Sequence, residues 1–143
     1  YECRSNEIEE ILRAVEGGQA PCLIAQTWAA HHGTLARGIG GTWDNWDLPT
    51  LQSITKCIGG RGLAAICRIL ARDYATMCSG MPDLLLWNAE RGVAKLSEVK
   101  SANDVLSDKQ RVWIHELEKA GVNIEVMEVV EVMDQGTPKR QRI

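Results

Sequence analysis

Three charged side chains in the second half of the chain have the types and spacing needed to hold a metal ion beside a phosphate. Asp83 follows Pro82 at the start of an apolar segment, and Glu98 and Lys100 lie fifteen and seventeen residues further on. Because Glu98 and Lys100 are two residues apart, both side chains point to the same face if this segment is a β-strand. If the Asp83 segment pairs with that strand as a hairpin, two carboxylates and one ammonium group converge on a common point.

Phosphodiester hydrolysis uses this combination of groups. Two carboxylates can hold Mg²⁺ or Mn²⁺, which keeps water in its remaining coordination positions. The ion activates a water and neutralises charge on the leaving oxygen, and an ammonium group stabilises the transition state. A third carboxylate from the first helix would complete the metal shell. The three residues therefore predict metal-dependent phosphodiester hydrolysis, although a Glu-x-Lys pair on a strand is also typical of a solvated face.

The neighbours of the charged pair favour the catalytic interpretation. Strand alternation puts Glu98 and Lys100 on the same face as Ala94 and Leu96, so the pair extends an apolar surface. Charged groups are costly to bury there unless something compensates them. A metal ion and a phosphate would supply that compensation.

Gln110 is a further candidate, with two interpretations that the sequence leaves open. It continues the apolar stripe of its helix, which consists of Trp113, Ile114, Leu117 and Ala120. An inward-pointing amide near the site suits contact with a water or a phosphate. The alternative is that Gln110 only completes a capping box with Ser107, in which Ser is the N-cap and Gln the third helical residue.

Apolar periodicity predicts four helices in the first half, at 6–16, 22–31, 48–57 and 62–75. Asn6 and Asp47 are the expected caps of the first and third helices. Gly17-Gly18 and Gly59-Gly60 are the expected stops, and the glycine-rich segment 37–46 is expected to be a loop.

The second half has the patterns of strands and one helix. The expected elements are a strand at 83–87, a strand at 93–99, a helix at 107–120 and a strand at 123–130. The order helix, helical insert, strand, strand, helix, strand predicts an α/β fold with a small mixed sheet flanked by helices.

Composition limits the class of protein. A chain of 143 residues fits one domain, and a formal net charge of −3 is unlike that of a general nucleic-acid coat protein, whose affinity comes from excess Lys and Arg. The five cysteines form no CxxC pair, so zinc-ligand spacing is absent. No apolar run approaches the roughly 20 residues of a membrane span, so we expect no membrane partner. The basic run at 139–142 is expected to be a solvated tail or a DNA contact.

The motifs resemble those of a known nuclease family. The segment 80–88, which reads GMPDLLLWN, resembles the first core strand of the VRR-NUC nucleases, which are members of the PD-(D/E)xK superfamily. Glu98-Val99-Lys100 matches the second motif of that family, and residues 103–113 match the segment that follows. Family members often have Gly after the catalytic Lys, where this chain has Ser101, and we expect this departure to be tolerated.

The helical insert resembles that of the Fanconi-associated nuclease branch, so the resemblance extends from about residue 5 to 131. It implies a restriction-endonuclease-like core at about 80–131, a helical insert at about 20–79, and a VRR-NUC domain over 1–143. We expect the chain to be the C-terminal part of a longer protein, whose upstream domains are partners in function.

The resemblance also implies an activity and the residues that perform it. Members of this branch are structure-specific DNA nucleases that cut 5′ flaps and degrade DNA from 5′ ends in interstrand cross-link repair, using Mg²⁺ or Mn²⁺. The family's metal ligands correspond to Asp83, Glu98 and the Val99 carbonyl, and its catalytic lysine corresponds to Lys100. A first-helix glutamate corresponds to Glu9, although other glutamates lie beside it in that helix. Flapped or branched DNA and repair-complex proteins are the implied partners, in the nucleus of a eukaryote or the cytoplasm of a bacterium.

Two other functions fit the same residues. A Holliday-junction resolvase would act as a dimer on four-way DNA, and the helical insert at roughly 20–79 would obstruct such a dimer. A non-catalytic DNA-binding or scaffold module on a nuclease fold would not need all three motif residues, which are intact here.

Overall fold

A computed structural model describes residues 1–36, 41–43 and 45–130. The elements within this part of the chain are α1 (Ser5–Ala14), α2 (Ala20–His31), β1 (Leu35–Ala36), β2 (Gly41–Thr42), α3 (Leu48–Ile58), α4 (Gly60–Arg72), α5 (Tyr74–Met77), β3 (Leu84–Asn88), β4 (Val93–Ser101), α6 (Asp108–Lys119) and β5 (Asn123–Val129). No helix of the described part is long and apolar enough to cross a membrane. The basic run at 139–142 lies outside the described residues.

The first helix begins differently from the prediction but ends at the predicted glycines. It starts at Ser5, after a short 3-10 turn, so Asn6 lies inside it and does not cap it. Gly18 has φ +90°, which is not a helical conformation, and the chain kinks there before α2 begins at Ala20. Gly18 therefore bends the chain between two helices, because a glycine adopts positive φ without steric cost.

The later caps follow the sequence more closely. Asp47 caps α3 by accepting a hydrogen bond from the Thr50 backbone N–H at 2.7 Å, as predicted. The helix predicted at 62–75 is two helices, since α4 ends at Arg72 and Asp73 then caps α5. The predicted loop at 37–46 lies partly outside the described residues, and two of its described residues form β2, which pairs with β1 as an antiparallel ladder.

The main sheet has the strand order β3-β4-β5, with β4 in the centre. β3 is antiparallel to β4, with Leu84 opposite Ser97, and β5 is parallel to β4, with Val126 opposite Glu98. Two parallel strands need a crossover connection, and α6 provides it. The predicted α/β fold with a small mixed sheet and flanking helices is confirmed.

The buried core has two parts that meet at α4. On one side of α4, Ala64 packs with Leu12 and Val15 of the α1 region. On the other side, Ile66 packs with Leu96 of β4 and with Trp113 and Leu117 of α6. Trp113 is fully buried, and its indole N–H donates to the Met77 carbonyl oxygen at 2.8 Å. The helical insert is therefore anchored on the same core that supports the sheet.

An ion-pair network also joins α1 to α4. The Arg68 guanidinium donates to both carboxylate oxygens of Glu9, with distances between 3.0 and 3.2 Å, and to Glu16 at 3.1 Å. The Tyr1 hydroxyl donates to Glu9 at 2.8 Å. These hydrogen bonds, chiefly those from Arg68 and then that from Tyr1, lower the pKa of Glu9 from 4.5 to about 2.

This network predicts an acid-sensitive contribution to stability. Because the folded-state pKa of Glu9 lies below its ordinary value, the contribution is fully present above pH 4.5 and is lost as the pH falls towards about 2. We expect Glu9→Gln to lower the free energy of unfolding at pH 7, and the deficit to shrink across this window. Urea denaturation at several pH values measures it. Glu7→Gln is the control, because its pair with Arg4 is largely exposed and contributes little. A deficit that does not change between pH 7 and pH 2 would contradict the assignment.

Close contact at the start of α4 predicts a glycine requirement. A Cβ added at Gly60 would lie 2.3 Å from the Val15 carbonyl oxygen, whereas one added at Gly17 would meet no atom of the described part of the chain within 4 Å. Both residues have φ values that alanine can adopt. We expect Gly60→Ala to destabilise the protein by about 1–3 kcal/mol because the backbone must move apart. Gly17→Ala should change stability by less than about 0.5 kcal/mol. Equal urea midpoints for the two variants would contradict this account.

Candidate active site

The hairpin of β3 and β4 sets Asp83 opposite Glu98. The last paired residues are Leu84 and Ser97, and one further step of the same antiparallel register faces Asp83 with Glu98. Residues opposite each other on antiparallel strands have side chains on the same face, with Cβ atoms roughly 5 Å apart. The hairpin pairing on which the sequence prediction depended is therefore present.

Asp83 is held at the edge of β4 by a backbone hydrogen bond. The Val99 N–H donates to Asp83 Oδ2 at 2.9 Å, just beyond the point where the β3–β4 ladder ends. Among the described residues no donor contacts the other oxygen, Oδ1. The N–H and C=O of a strand residue leave the strand on the same side. The Val99 carbonyl therefore leaves β4 on the side of Asp83.

Glu98 is a buried carboxylate whose charge is balanced by close partners. The residue is 1% exposed, and its Oε1 atom lies 2.8 Å from Lys100 Nζ. The same oxygen accepts a hydrogen bond from Gln110 Nε2. A buried charge without a partner would strongly destabilise the fold. The ammonium and amide groups remove that penalty and leave Oε2 without a donor among the described residues.

Gln110 performs both of the roles that the sequence left open. Its Oε1 accepts from the Ser107 backbone N–H at 2.9 Å, and the Gln110 N–H donates to Ser107 Oγ at 3.3 Å, which completes the predicted capping box. The same Oε1 accepts from Lys100 Nζ at 3.1 Å. The amide therefore caps α6 and contacts both charged residues of the centre.

The predicted site residues are brought together with one exception. Asp83, Glu98, Val99, Lys100 and Gln110 meet at the end of β4. Glu9 is instead bound by the Arg68 guanidinium, which donates to both of its carboxylate oxygens. Consistent with this, no group of three or more His, Cys, Asp or Glu side chains in residues 1–36, 41–43 and 45–130 is placed to hold a metal ion.

The donors at this centre fit a hard divalent cation. Asp83 Oδ1, Glu98 Oε2 and the Val99 carbonyl are oxygen atoms, which Mg²⁺ and Mn²⁺ prefer as ligands. Magnesium is typically held by one or two carboxylates, with waters and substrate phosphates as its other ligands. The two carboxylates present are therefore enough for an ion of this class.

The centre is accessible from the C-terminal end of β4. A surface depression of about 350 Å³ is lined there by Lys100, Asp104, Val126 and Glu128, among others. Lys100 is the member shared by the depression and the buried cluster, and its side chain is 15% exposed. The ammonium group therefore borders the depression, which the carboxylates of Asp104 and Glu128 also line.

The turn after β4 contains a feature that the sequence prediction missed. The Ser101 N–H donates to Asp104 Oδ2 at 3.1 Å, and this hydrogen bond, with the nearby Lys100 charge, lowers the pKa of Asp104. The preference of Asp for turns was the available signal. Ser101 does not have positive φ, so the backbone does not require the glycine that family members often have here.

The segment before Asp83 is pressed against α6. Gly80 is buried, and a Cβ added to it would lie 2.6 Å from the Lys109 Cβ and 3.1 Å from the Trp113 ring. Lys109 Nζ also donates to Ser79 Oγ at 3.2 Å. The segment that leads into β3 is thus in direct contact with α6, the helix that carries Gln110.

Comparison with known proteins finds related sequences. The sequence model of the VRR-NUC domain matches residues 16–131. The Fanconi-associated nuclease 1 homolog of Arabidopsis thaliana is 41% identical over 133 residues, which is 90% of this chain and 15% of that protein. Fanconi-associated nuclease 1 of Mus musculus is 35% identical over 136 residues, which is 92% of this chain and 13% of that protein.

A solved structure shares the fold. The crystal structure of paFAN1 bound to DNA with a 2-nucleotide 5′ flap and a gap matches with a TM-score of 0.73 and 23% sequence identity, over 92% of this chain and 24% of that chain. This chain thus spans a small part of the length of these proteins. The predicted resemblance is confirmed, and the chain belongs to the VRR-NUC nuclease domain family.

Proposed function

We propose that this chain is the catalytic domain of a DNA nuclease that hydrolyses phosphodiester bonds with Mg²⁺ or Mn²⁺. The observation that carries the proposal is the convergence of Asp83, Glu98 and Lys100 at one solvent-accessible strand end. Asp83, Glu98 and the Val99 carbonyl are the proposed metal ligands. Glu9 is left out of the metal shell, because releasing it would break its bidentate pair with Arg68.

Each residue has a role that follows from its contacts. When bound, the metal ion supplies an activated water and neutralises charge on the phosphodiester. Lys100 has three N–H donors, of which Glu98 and Gln110 accept two. No described residue accepts its third donor, which we assign to a phosphate oxygen or to the attacking water, where a fixed positive charge favours the transition state. Gln110 keeps the ammonium and carboxylate groups in place.

The proposed substrate is flapped or branched DNA, cut by a 5′ flap endonuclease and 5′–3′ exonuclease activity in interstrand cross-link repair. The solved structure with the same fold is bound to flap DNA, and the relatives are named for a Fanconi-associated nuclease. With a net charge of −3, this chain has no excess of basic residues for gripping DNA. We therefore assign much of the DNA affinity to other domains of a longer protein and to repair partners, in the nucleus of a eukaryotic host or the cytoplasm of a bacterial one.

One experiment tests the reaction and its rivals together. The purified protein is incubated with end-labelled flap, four-way-junction and plain duplex DNA, with and without Mn²⁺, and its mass is measured under native conditions. We expect Mn²⁺-dependent cleavage that is fastest on the flap. Preferred cleavage of junctions by a dimer would favour a resolvase, and binding without cleavage would favour a scaffold module.

Removing the Asp83 charge should abolish cleavage while leaving the fold intact. We expect Asp83→Asn to lower the cleavage rate by at least about 100-fold and to weaken Mn²⁺ binding measured by titration calorimetry, because a metal ligand is lost. Asp108→Asn is the matched control, since Asp108 is an exposed carboxylate in the first turn of α6. Cleavage by Asp83→Asn at the wild-type rate would contradict the assignment.

Removing the Lys100 charge should make folding depend on metal. Lys100→Met leaves the buried Glu98 carboxylate without its cation, and breaking such a pair costs about 3–5 kcal/mol. A bound Mn²⁺ ion would restore a positive charge beside Glu98. We therefore expect the variant to be inactive and less stable, and Mn²⁺ to raise its thermal midpoint more than it raises that of the wild type. An equal Mn²⁺ effect on the two proteins would show that Lys100 and the metal do not share Glu98.

A further inference from the structure

The capping box of α6 shares an atom with the catalytic cluster. Gln110 Oε1 accepts hydrogen bonds from the Ser107 backbone N–H and from Lys100 Nζ, at 2.9 and 3.1 Å. The amide nitrogen of the same side chain donates to Glu98. In an ordinary capping box the side chain at the third helical position serves only the helix end. Here the amide connects the first turn of α6 to the buried ion pair.

The orientation of this amide decides whether its contacts attract or repel. Rotation of the amide by 180° would exchange its oxygen and its NH₂ group. The NH₂ group would then face the Lys100 ammonium, and the oxygen would face the Glu98 carboxylate. Both contacts would be repulsive. The cluster therefore depends on a single orientation of Gln110.

Among the residues that the structure describes, the Ser107 N–H is the one partner of the amide that belongs to the backbone. Its position is set by the N-cap conformation, with φ −69° and ψ 162°, and by the helix that follows. Glu98 and Lys100 are side chains that the proposed reaction engages with a cation and a phosphate. A backbone donor stays in place when those contacts change.

We propose that Ser107 is a positioning residue of the catalytic centre, which acts through its backbone N–H by orienting Gln110 against Lys100 and Glu98. The role rests on the proposed nuclease function for its effect on rate, but the hydrogen bond itself can be measured without DNA. The Ser107 hydroxyl has the separate task of capping the Gln110 N–H.

Two substitutions of Ser107 together separate the N–H from the hydroxyl, because proline removes both groups and alanine removes only the hydroxyl. Ser107→Pro removes the N–H at a φ of −69° that a proline ring adopts. We expect its kcat on flap DNA to fall about 10- to 100-fold with little change in KM, because the reacting groups are misplaced and binding is not lost. Ser107→Ala keeps the N–H and removes only the hydroxyl, so it should lower the thermal midpoint and reduce kcat less than Ser107→Pro does.

The matched control places the proline one residue later. Asp108 is the first helical residue, where proline is well tolerated, and the extended Ser107 before it suits a following proline. Asp108→Pro keeps the Ser107 N–H, so kcat should be unchanged. An equal fall in kcat for the two proline variants, or wild-type kcat in Ser107→Pro, would overturn the proposal.

A double-mutant comparison tests whether Ser107 acts through Gln110. Gln110→Met removes the amide and keeps a similar shape. In that background Ser107→Pro should cause no further fall in kcat, because residues that act through one contact are not additive. A full additional fall would show that Ser107 acts by another route and would overturn the proposal.

Nuclear magnetic resonance decides the question even if Ser107→Pro does not fold. In the wild-type protein we expect a scalar coupling across the hydrogen bond between the Ser107 backbone nitrogen and the Gln110 side-chain carbonyl carbon. The coupling from the Arg111 nitrogen to the Ser107 carbonyl, across a 3.0 Å bond within α6, is the internal reference. If the reference is seen and the Ser107–Gln110 coupling is absent, the proposal is overturned. If the coupling is present and the wild-type protein does not cleave DNA, only the proposed nuclease function fails.

Discussion

The carboxylate of Glu98 is almost completely buried. A buried charge is tolerated only where an opposite charge and hydrogen-bond donors surround it. Lys100, two residues along the same strand, supplies the charge, and Gln110 supplies an N–H donor. Much of the architecture serves this arrangement. β4 lies in the centre of the sheet. Asp83 comes from the start of β3 on one side of it, and Gln110 comes from α6, which connects β4 to β5.

The core explains why these elements keep their places. Trp113 and Leu117 bury one side of α6 against Leu96 of β4, next to the cluster. Helix α4 packs on this core and on the separate core around Leu12. The helical insert is consequently part of the support of the site and not an appendage to it.

The parts of the fold that could be predicted from the sequence are those with local signals. The capping residues Asp47 and Ser107 act over three residues, and both caps form as expected. The strand alternation that put Glu98 and Lys100 on one face is also a local property, and the hairpin followed from two short apolar runs. The break at Asp73 was missed because apolar periodicity continues across it, although an Asp is a good cap.

The location of Glu9 shows where local reasoning ends. Its partner Arg68 is 59 residues away in the sequence, and the spacing of residues within the first helix does not predict that pairing. The requirement for glycine at position 60 could not be predicted either. It arises because two segments that are distant in the sequence come close together, so that a Cβ at Gly60 would collide with the Val15 carbonyl oxygen. Gln110 was identified as a candidate, but only the three-dimensional contacts showed that its two roles are performed by one amide.

The pairing of β3 with β4 has a consequence for how this domain can fail. Sliding one strand past the other by a single residue would retain most of the backbone ladder, yet it would turn Asp83 to the opposite side of the sheet from Glu98. Such an isomer would lack one of the two carboxylates of the proposed metal site. The activity of the domain thus depends on the alignment of β3 with β4. A preparation that contained both alignments would have reduced specific activity, although its helix and strand content would be normal.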